Sequence, residues 1–136
     1  DRLEAFRGHL QTRGVQSVWP QTDVAGLMAV LAGARLLLAN DSAPLHLAVG
    51  LNVPTVSIFG PTDPALVGPW GYAMWPEPRD DARHVVIRAP QAAEGATDYR
   101  KHRDDDTLIA AVAAAPVADA AAFLLDHAPA APDRSR

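Results

Sequence analysis

Two short apolar runs, separated by a polar turn and an apolar helix, dominate the pattern between Arg35 and Gly60, RLLLANDSAPLHLAVGLNVPTVSIFG. Leu36 to Ala39 form an unbroken apolar run, as expected of a strand buried on both faces. Asn40-Asp41-Ser42-Ala43-Pro44 stops that strand and starts a helix, because Asp and Ser are favoured N-caps and Pro fits the first helical turn. Leu45 to Leu51 continue the helix, which Asn52 and Pro54 end. Thr55 to Phe59 form the next strand, closed by Gly60-Pro61. Two strands joined by a helical crossover make a βαβ unit and so a parallel sheet.

The alternation continues on both sides. Leu3, Phe6 and Leu10 share one helical face, so residues 1–13 read as an amphipathic helix ended by Gly14. Val15 to Trp19 read as a short strand. Asp23 then caps a helix over Val24 to Gly33, whose Ala25, Gly26, Ala29 and Ala32 suit close packing against a sheet. Gly60 to Glu77 reads as a long loop, stiffened by Pro61, Pro64, Pro69 and Pro76 and carrying Trp70, Tyr72 and Trp75. His84 to Arg88 is a further strand. Residues 77–106 hold 14 charges in 30 positions, which predicts a solvated region, with Asp98 to Asp106 a poorly ordered connection. Asp106 or Thr107 caps a helix from Leu108 to Ala115. Pro116 starts another, Val117 to His127, with Val117, Ala121 and Leu124 or Leu125 inward. Residues 129–136 carry no core-forming side chain and read as a disordered tail. The elements together predict an α/β domain over residues 1–128, a Rossmann-like parallel sheet with flanking helices.

Composition narrows the class. With 136 residues and 49% apolar content, the chain has enough material for one cored domain. A net charge of −4 with a single lysine argues against a nucleic-acid partner. The absence of cysteine removes disulfides, thiol catalysis and thiolate metal sites. Asp1-Arg2-Leu3-Glu4 opens the chain as a charged helix rather than a signal peptide, and the missing initiator Met points to a processed or excised chain. The longest apolar stretch, Val24 to Leu38, is interrupted by Gly26, Gly33 and Arg35, so no membrane span is expected.

Between Val15 and Pro76 only Asp23, Arg35, Asp41 and Asp63 are charged, and in so apolar a stretch each calls for a reason. Asp23 has its cap, and Arg35 reaches solvent at a helix–strand junction. Asp41 and Asp63 follow strands, at the carboxyl ends where ligands of parallel sheets bind. A strand–turn–helix with free backbone N–H groups at the positive end of a helix dipole is an anion site, and phosphate is the usual biological anion. Ser42 supplies a hydroxyl, and Ala43 is small enough for close backbone approach. His46 lies one turn further on the same face and can donate to a phosphate or sugar oxygen. Asp41 suits sugar hydroxyls. The plainer alternatives are that Asp41 and Ser42 only cap the helix, that His46 is a surface histidine, and that Thr62-Asp63 is a turn. There is no P-loop lysine motif, no GxGxxG, no HExxH and no nucleophile elbow. Nothing in the chain calls for a metal or a cofactor.

Leu31 to Gly71 resembles the C-terminal domain of glycosyltransferase family 9, the ADP-heptose:lipopolysaccharide heptosyltransferases. The residues that carry the likeness are Asp41-Ser42-Ala43-Pro44-Leu45-His46 and Gly60-Pro61-Thr62-Asp63-Pro64. Gly68-Pro69-Trp70-Gly71 and Ile87-Arg88-Ala89-Pro90 look most like the heptosyltransferase I branch. The resemblance implies the C-terminal half of a GT-B fold, in which this domain holds an ADP-sugar donor. A separate N-terminal domain, absent here, would hold the lipopolysaccharide core acceptor and the general base. It implies donor contacts by Asp41 on the sugar, Ser42 and Ala43 on the diphosphate, and His46 on phosphate or sugar. Thr22 would lie at an earlier strand end near adenine, with Thr62 and Asp63 in the cleft loop. The location implied is cytoplasmic, peripheral at the inner membrane for the full-length protein. Ala43 stands where the family has Gly, so a Cβ would crowd the pyrophosphate or impose φ < 0. Two other readings remain open: a stand-alone nucleotide-binding or scaffold module that assembles with a separate partner, and another GT-B enzyme using a UDP-sugar.

Overall fold

The computed structural model describes residues 2–18, 20–90 and 107–127. Its helices are α1 (Arg2–Thr12), α2 (Val24–Ala32), α3 (Ala43–Gly50), α4 (Pro64–Val67), α5 (Thr107–Ala110) and α6 (Ala114–His127). Its strands are β1 (Leu37–Asn40), β2 (Thr55–Phe59), β3 (Ala73–Met74) and β4 (His84–Arg88). The strands form one parallel sheet in the order β1-β2-β4-β3. β2 and β4 occupy the centre, which accounts for their near-continuous apolar sequences.

Helices cover both faces. On one face Val56, Val85 and Ile87 pack with Val117, Ala120 and Leu124 of α6. The buried positions 117, 120 and 124 follow the helical repeat, so α6 presents a single apolar stripe. On the other face Leu45 of α3 packs with Phe59 and Val86. A third cluster, Leu31, Ala48 and Val53, ties α2 to α3. α3 ends where Asn52 takes the left-handed conformation (φ 58°), which Asn adopts more readily than most residues. Val53 then donates its N–H to Ala48 O at 2.9 Å.

The βαβ unit, the strand over 84–88 and the helix cap at Asp23 stand as expected, with element ends moved by one or two residues. The Asp23 carboxylate accepts from Gly26 N–H at 2.8 Å. Several expectations do not hold. Residues 15–18 form no strand, and Val18 is 87% exposed; Trp19, the last residue of the expected strand, lies outside the described residues. Among the described residues β1 is therefore an edge strand, and it is not buried on both faces, since Leu38 is 52% exposed. α1 forms, with Phe6 54% exposed and Leu10 partly buried. α2 turns Leu27 and Leu31 inward against α3, rather than small residues against the sheet. The loop over 60–77 contains α4 and β3, which sequence reading passed over because both are very short. The helix expected over 108–115 stops at Ala110, and α6 begins at Ala114, ahead of Pro116. Pro116 then falls in the first turn, where its missing N–H breaks no intrahelical bond. The expectations for Asp98–Asp106 and for residues 129–136 lie outside the described residues, as does Asp106 as a cap.

A polar pair is buried at the amino end of the sheet. Thr55 Oγ1 and His84 Nδ1 share a hydrogen bond of 3.0 Å, and the two residues are in register on β2 and β4. Burial of the imidazole, and secondarily the charge of Arg83, lower the His84 pKa below the ordinary histidine value. The unfolded chain therefore takes up a proton that the folded chain resists. This contribution to stability is complete above the unfolded histidine pKa, near about 6.5, and is lost as pH falls through the lower folded value. Urea titrations at pH 7.5 and pH 5 should show stability falling with acidification, with a shallower fall in His84→Gln. An unchanged pH dependence in that variant would rule His84 out as the titrating group.

Candidate functional site

The carboxyl end of the sheet gathers the ends of β1, β2 and β4, at Asn40, Phe59 and Arg88. The chain leaves β1 through Asp41 and Ser42 and enters α3 directly. Ser42 is the N-cap, in extended backbone (φ −160°, ψ 165°), but its side chain makes no capping bond. Its hydroxyl donates instead to Asn40 O at 3.1 Å. A capping role therefore does not explain Ser42. Pro44 lies in the first turn, so the N-terminal donors of α3 come from the flanking residues. Leu45 N–H already reaches Ser42 O at 3.0 Å, which leaves the exposed Ala43 at the mouth of the helix.

Asp41 and His46 come together across this turn. His46 Nε2 stands 3.7 Å from Asp41 Oδ1, with the imidazole side chain 52% exposed and the carboxylate 21% exposed. The pair sets an acceptor and a donor side by side at the positive end of a helix, a combination suited to a ligand that carries both hydroxyls and an anion. Ala43 belongs to α3 and is absent from the positive-φ residues, so the site needs no glycine conformation there. Ala in a helical position is favoured over Gly by about 1 kcal/mol.

The remaining expected residues are placed differently. Asp63 caps α4, accepting from Ala65 N–H at 3.0 Å, and Thr62 is partly buried beside it. Thr22 is exposed in the loop ahead of the Asp23 cap and, with no strand over 15–18, follows no strand end. Among the described residues no hydrogen bond or ion pair joins Thr22, Thr62 or Asp63 to the Asp41–His46 pair. Gly60, closing β2, is packed under α5: a Cβ there would lie 3.1 Å from Ile109 Cγ1. An apolar groove of about 400 Å³ lies elsewhere, on the α6 face, against Leu38, Ile58, Val112, Val117 and Ala121, and none of the expected site residues lines it. Among the described residues no group of three or more His, Asp or Glu side chains is arranged to hold a metal, and no helix is long and apolar enough to cross a membrane.

Sequence reading missed one residue at this end of the sheet. Arg88 closes β4, and its Nε is buried without a hydrogen-bond partner. The signal was a lone charge ending an apolar strand, HVVIR.

Three comparisons with known proteins bear on this site. The family model of glycosyltransferase family 9 (heptosyltransferase) matches residues 1–74, which include the Asp41–His46 turn and the Gly60–Pro64 segment. Lipopolysaccharide heptosyltransferase 1 of Pseudomonas aeruginosa is 49% identical over 55 residues, covering 40% of this chain and 16% of that protein. Lipopolysaccharide heptosyltransferase 1 of Escherichia coli K12 is 39% identical over 74 residues, covering 54% of this chain and 20% of that protein. Among solved structures, E. coli heptosyltransferase WaaC with ADP aligns with a TM-score of 0.45 and 28% identity, over 65% of this chain and 26% of that chain. The matched stretches thus span about a fifth or less of the curated relatives' length.

The two N-cap residues, Asp63 and Ser42, should separate by stability. Asp63→Ala removes a cap bond that is present and should cost about 1 kcal/mol, whereas Ser42→Ala removes none and should stay within about 0.5 kcal/mol of the parent. Chemical denaturation of the two variants checks this, and equal losses would contradict the cap assignment.

Proposed function

The chain belongs to glycosyltransferase family 9, and on that premise we propose that it is the donor-binding part of a transferase moving heptose from ADP-heptose to a lipopolysaccharide inner-core acceptor. The observation that carries the reading is the Asp41–His46 pair at the mouth of α3, within the stretch that the family model matches. In this reading Asp41 accepts from sugar hydroxyls. Ser42 and the backbone at Ala43 meet the diphosphate, and His46 donates to a phosphate or sugar oxygen. Thr22 lies toward adenine, and Thr62 and Asp63 border the cleft. The adenine nucleotide is taken from the family resemblance rather than from a pocket of this chain.

The chemistry proposed is a single inverting displacement. A general base, supplied by the N-terminal acceptor domain of a GT-B enzyme, takes the proton of the acceptor hydroxyl. That oxygen attacks the anomeric carbon of the donor while the bond from this carbon to the diphosphate oxygen breaks, and the electron pair leaves on ADP. Charge grows on the leaving oxygen, where the N-terminal dipole of α3 and the His46 donor can stabilise it. This part alone supplies leaving-group stabilisation but no base, so we expect it to transfer no sugar by itself. In this reading the full-length protein works in the cytoplasm, peripheral at the inner membrane, as the family resemblance implies.

Calorimetric titration tests the reading. The chain should bind ADP more tightly than UDP, and His46→Ala should weaken ADP binding about tenfold, the effect of losing one hydrogen bond to a charged group. A preference for UDP would favour another GT-B enzyme. Binding indifferent to His46→Ala would remove the site from the Asp41–His46 turn.

A further inference from the structure

Arg88 ends β4 on the face that carries α3. Along β4, Val85 and Ile87 enter the core under α6, while Val86 enters the core with Leu45 of α3 and Phe59. Strand side chains alternate, so Arg88 shares the side of Val86, and it is in register with Phe59, itself part of the α3-side core. Arg88 therefore stands beside Phe59, at the same end and on the same face of the sheet as the mouth of α3. β4 is two strands from β1, which puts their backbones roughly 10 Å apart, a gap that a diphosphate and an arginine side chain can bridge from opposite sides.

The guanidinium has no partner to explain it. Arg88 Nε is buried without a hydrogen bond, and among the described residues no ion pair or other hydrogen bond involves this side chain. Arg83, just ahead of the same strand, also has a buried Nε without a hydrogen bond, but its guanidinium is anchored through Nη2, which donates to Asn52 O at 2.8 Å. A buried donor left unpaired destabilises the fold and calls for an acceptor. The chemistry of the site also lacks a positive charge. From Val15 to Pro76 the one arginine is Arg35, which precedes β1 at the opposite end of the sheet, while the mouth of α3 carries the Asp41 carboxylate.

We propose that Arg88 is a phosphate-contacting residue of this site, closing on a diphosphate from the side opposite His46. Its planar fork presents Nε–H and Nη–H to two phosphate oxygens, a geometry that guanidinium matches better than ammonium. The proposal rests on the donor-site reading above and adds to it the cation that balances the diphosphate against Asp41. It also gives the unpaired Nε an acceptor.

The test is titration of the chain and of Arg88→Met and Arg88→Lys with inorganic pyrophosphate, ADP and adenosine, beside thermal melts. Arg88→Met should weaken pyrophosphate and ADP at least about tenfold, leave any adenosine affinity unchanged, and melt no lower than the parent, because an unpaired buried donor has been removed. Arg88→Lys should recover part of the anion affinity; if the Met variant melts lower, the Lys variant is read for weakened pyrophosphate binding instead. Pyrophosphate binding that is the same in all three chains overturns the Arg88 contact and leaves the donor reading standing. Pyrophosphate binding that depends on Arg88, with no gain from the adenosine moiety, upholds the contact and overturns the nucleotide reading. A parent chain that binds neither pyrophosphate nor ADP overturns both.

Discussion

Five rungs of parallel ladder join Thr55–Phe59 to His84–Arg88, and most side chains on both faces of that ladder are removed from water. A backbone buried this way has no alternative to ladder pairing, because an unpaired N–H or C=O there would lose water without replacing it. The ladder fixes the rest. α3 must lie over Phe59 and Val86, and α6 over Val56, Val85 and Ile87, since those are the apolar surfaces that the two strands present. β1 joins by pairing with β2, and β3 by pairing with β4. Interior positions on the centre strands are left little freedom to vary, so chemistry is confined to the places where strands end.

The two ends of the ladder are used differently. At the amino end Thr55 meets His84 and Arg83 Nη2 meets the carbonyl of Asn52, while Arg83 Nε is buried without a hydrogen bond. At the carboxyl end the side chains are less engaged. Ser42 caps nothing with its side chain, the Asp41–His46 pair is open to solvent at 3.7 Å, and Arg88 carries a buried Nε without a partner. Open polar side chains at the carboxyl end of a parallel sheet lie where ligands of such sheets bind. This placement agrees with the dipole of α3, whose positive terminus opens there. Asp63 shows why position alone is a weak guide, for it follows a strand just as Asp41 does, yet its carboxylate is engaged in starting α4.

The sequence by itself determined the parallel α/β class, the βαβ unit from Leu37 to Phe59, the strand at His84–Arg88, the Asp23 cap and the Asp41–His46 turn. These are local matters: the run of apolar residues, the capping chemistry and the one-turn spacing act over a few residues and are written in their order. Tertiary structure decided what depends on neighbours distant in the chain. Val15 to Val18 have strand composition yet form no strand, and among the described residues β1 is left at an edge with Leu38 exposed. Leu27 and Leu31 face α3 because that is the surface α2 meets. The placing of Arg88 on the α3 face follows from a register set 29 residues away at Phe59, and no local pattern reports which partner its guanidinium has. Pairing and burial are properties of the assembled sheet, which is why the turn could be read from the chain while the charge facing it could not.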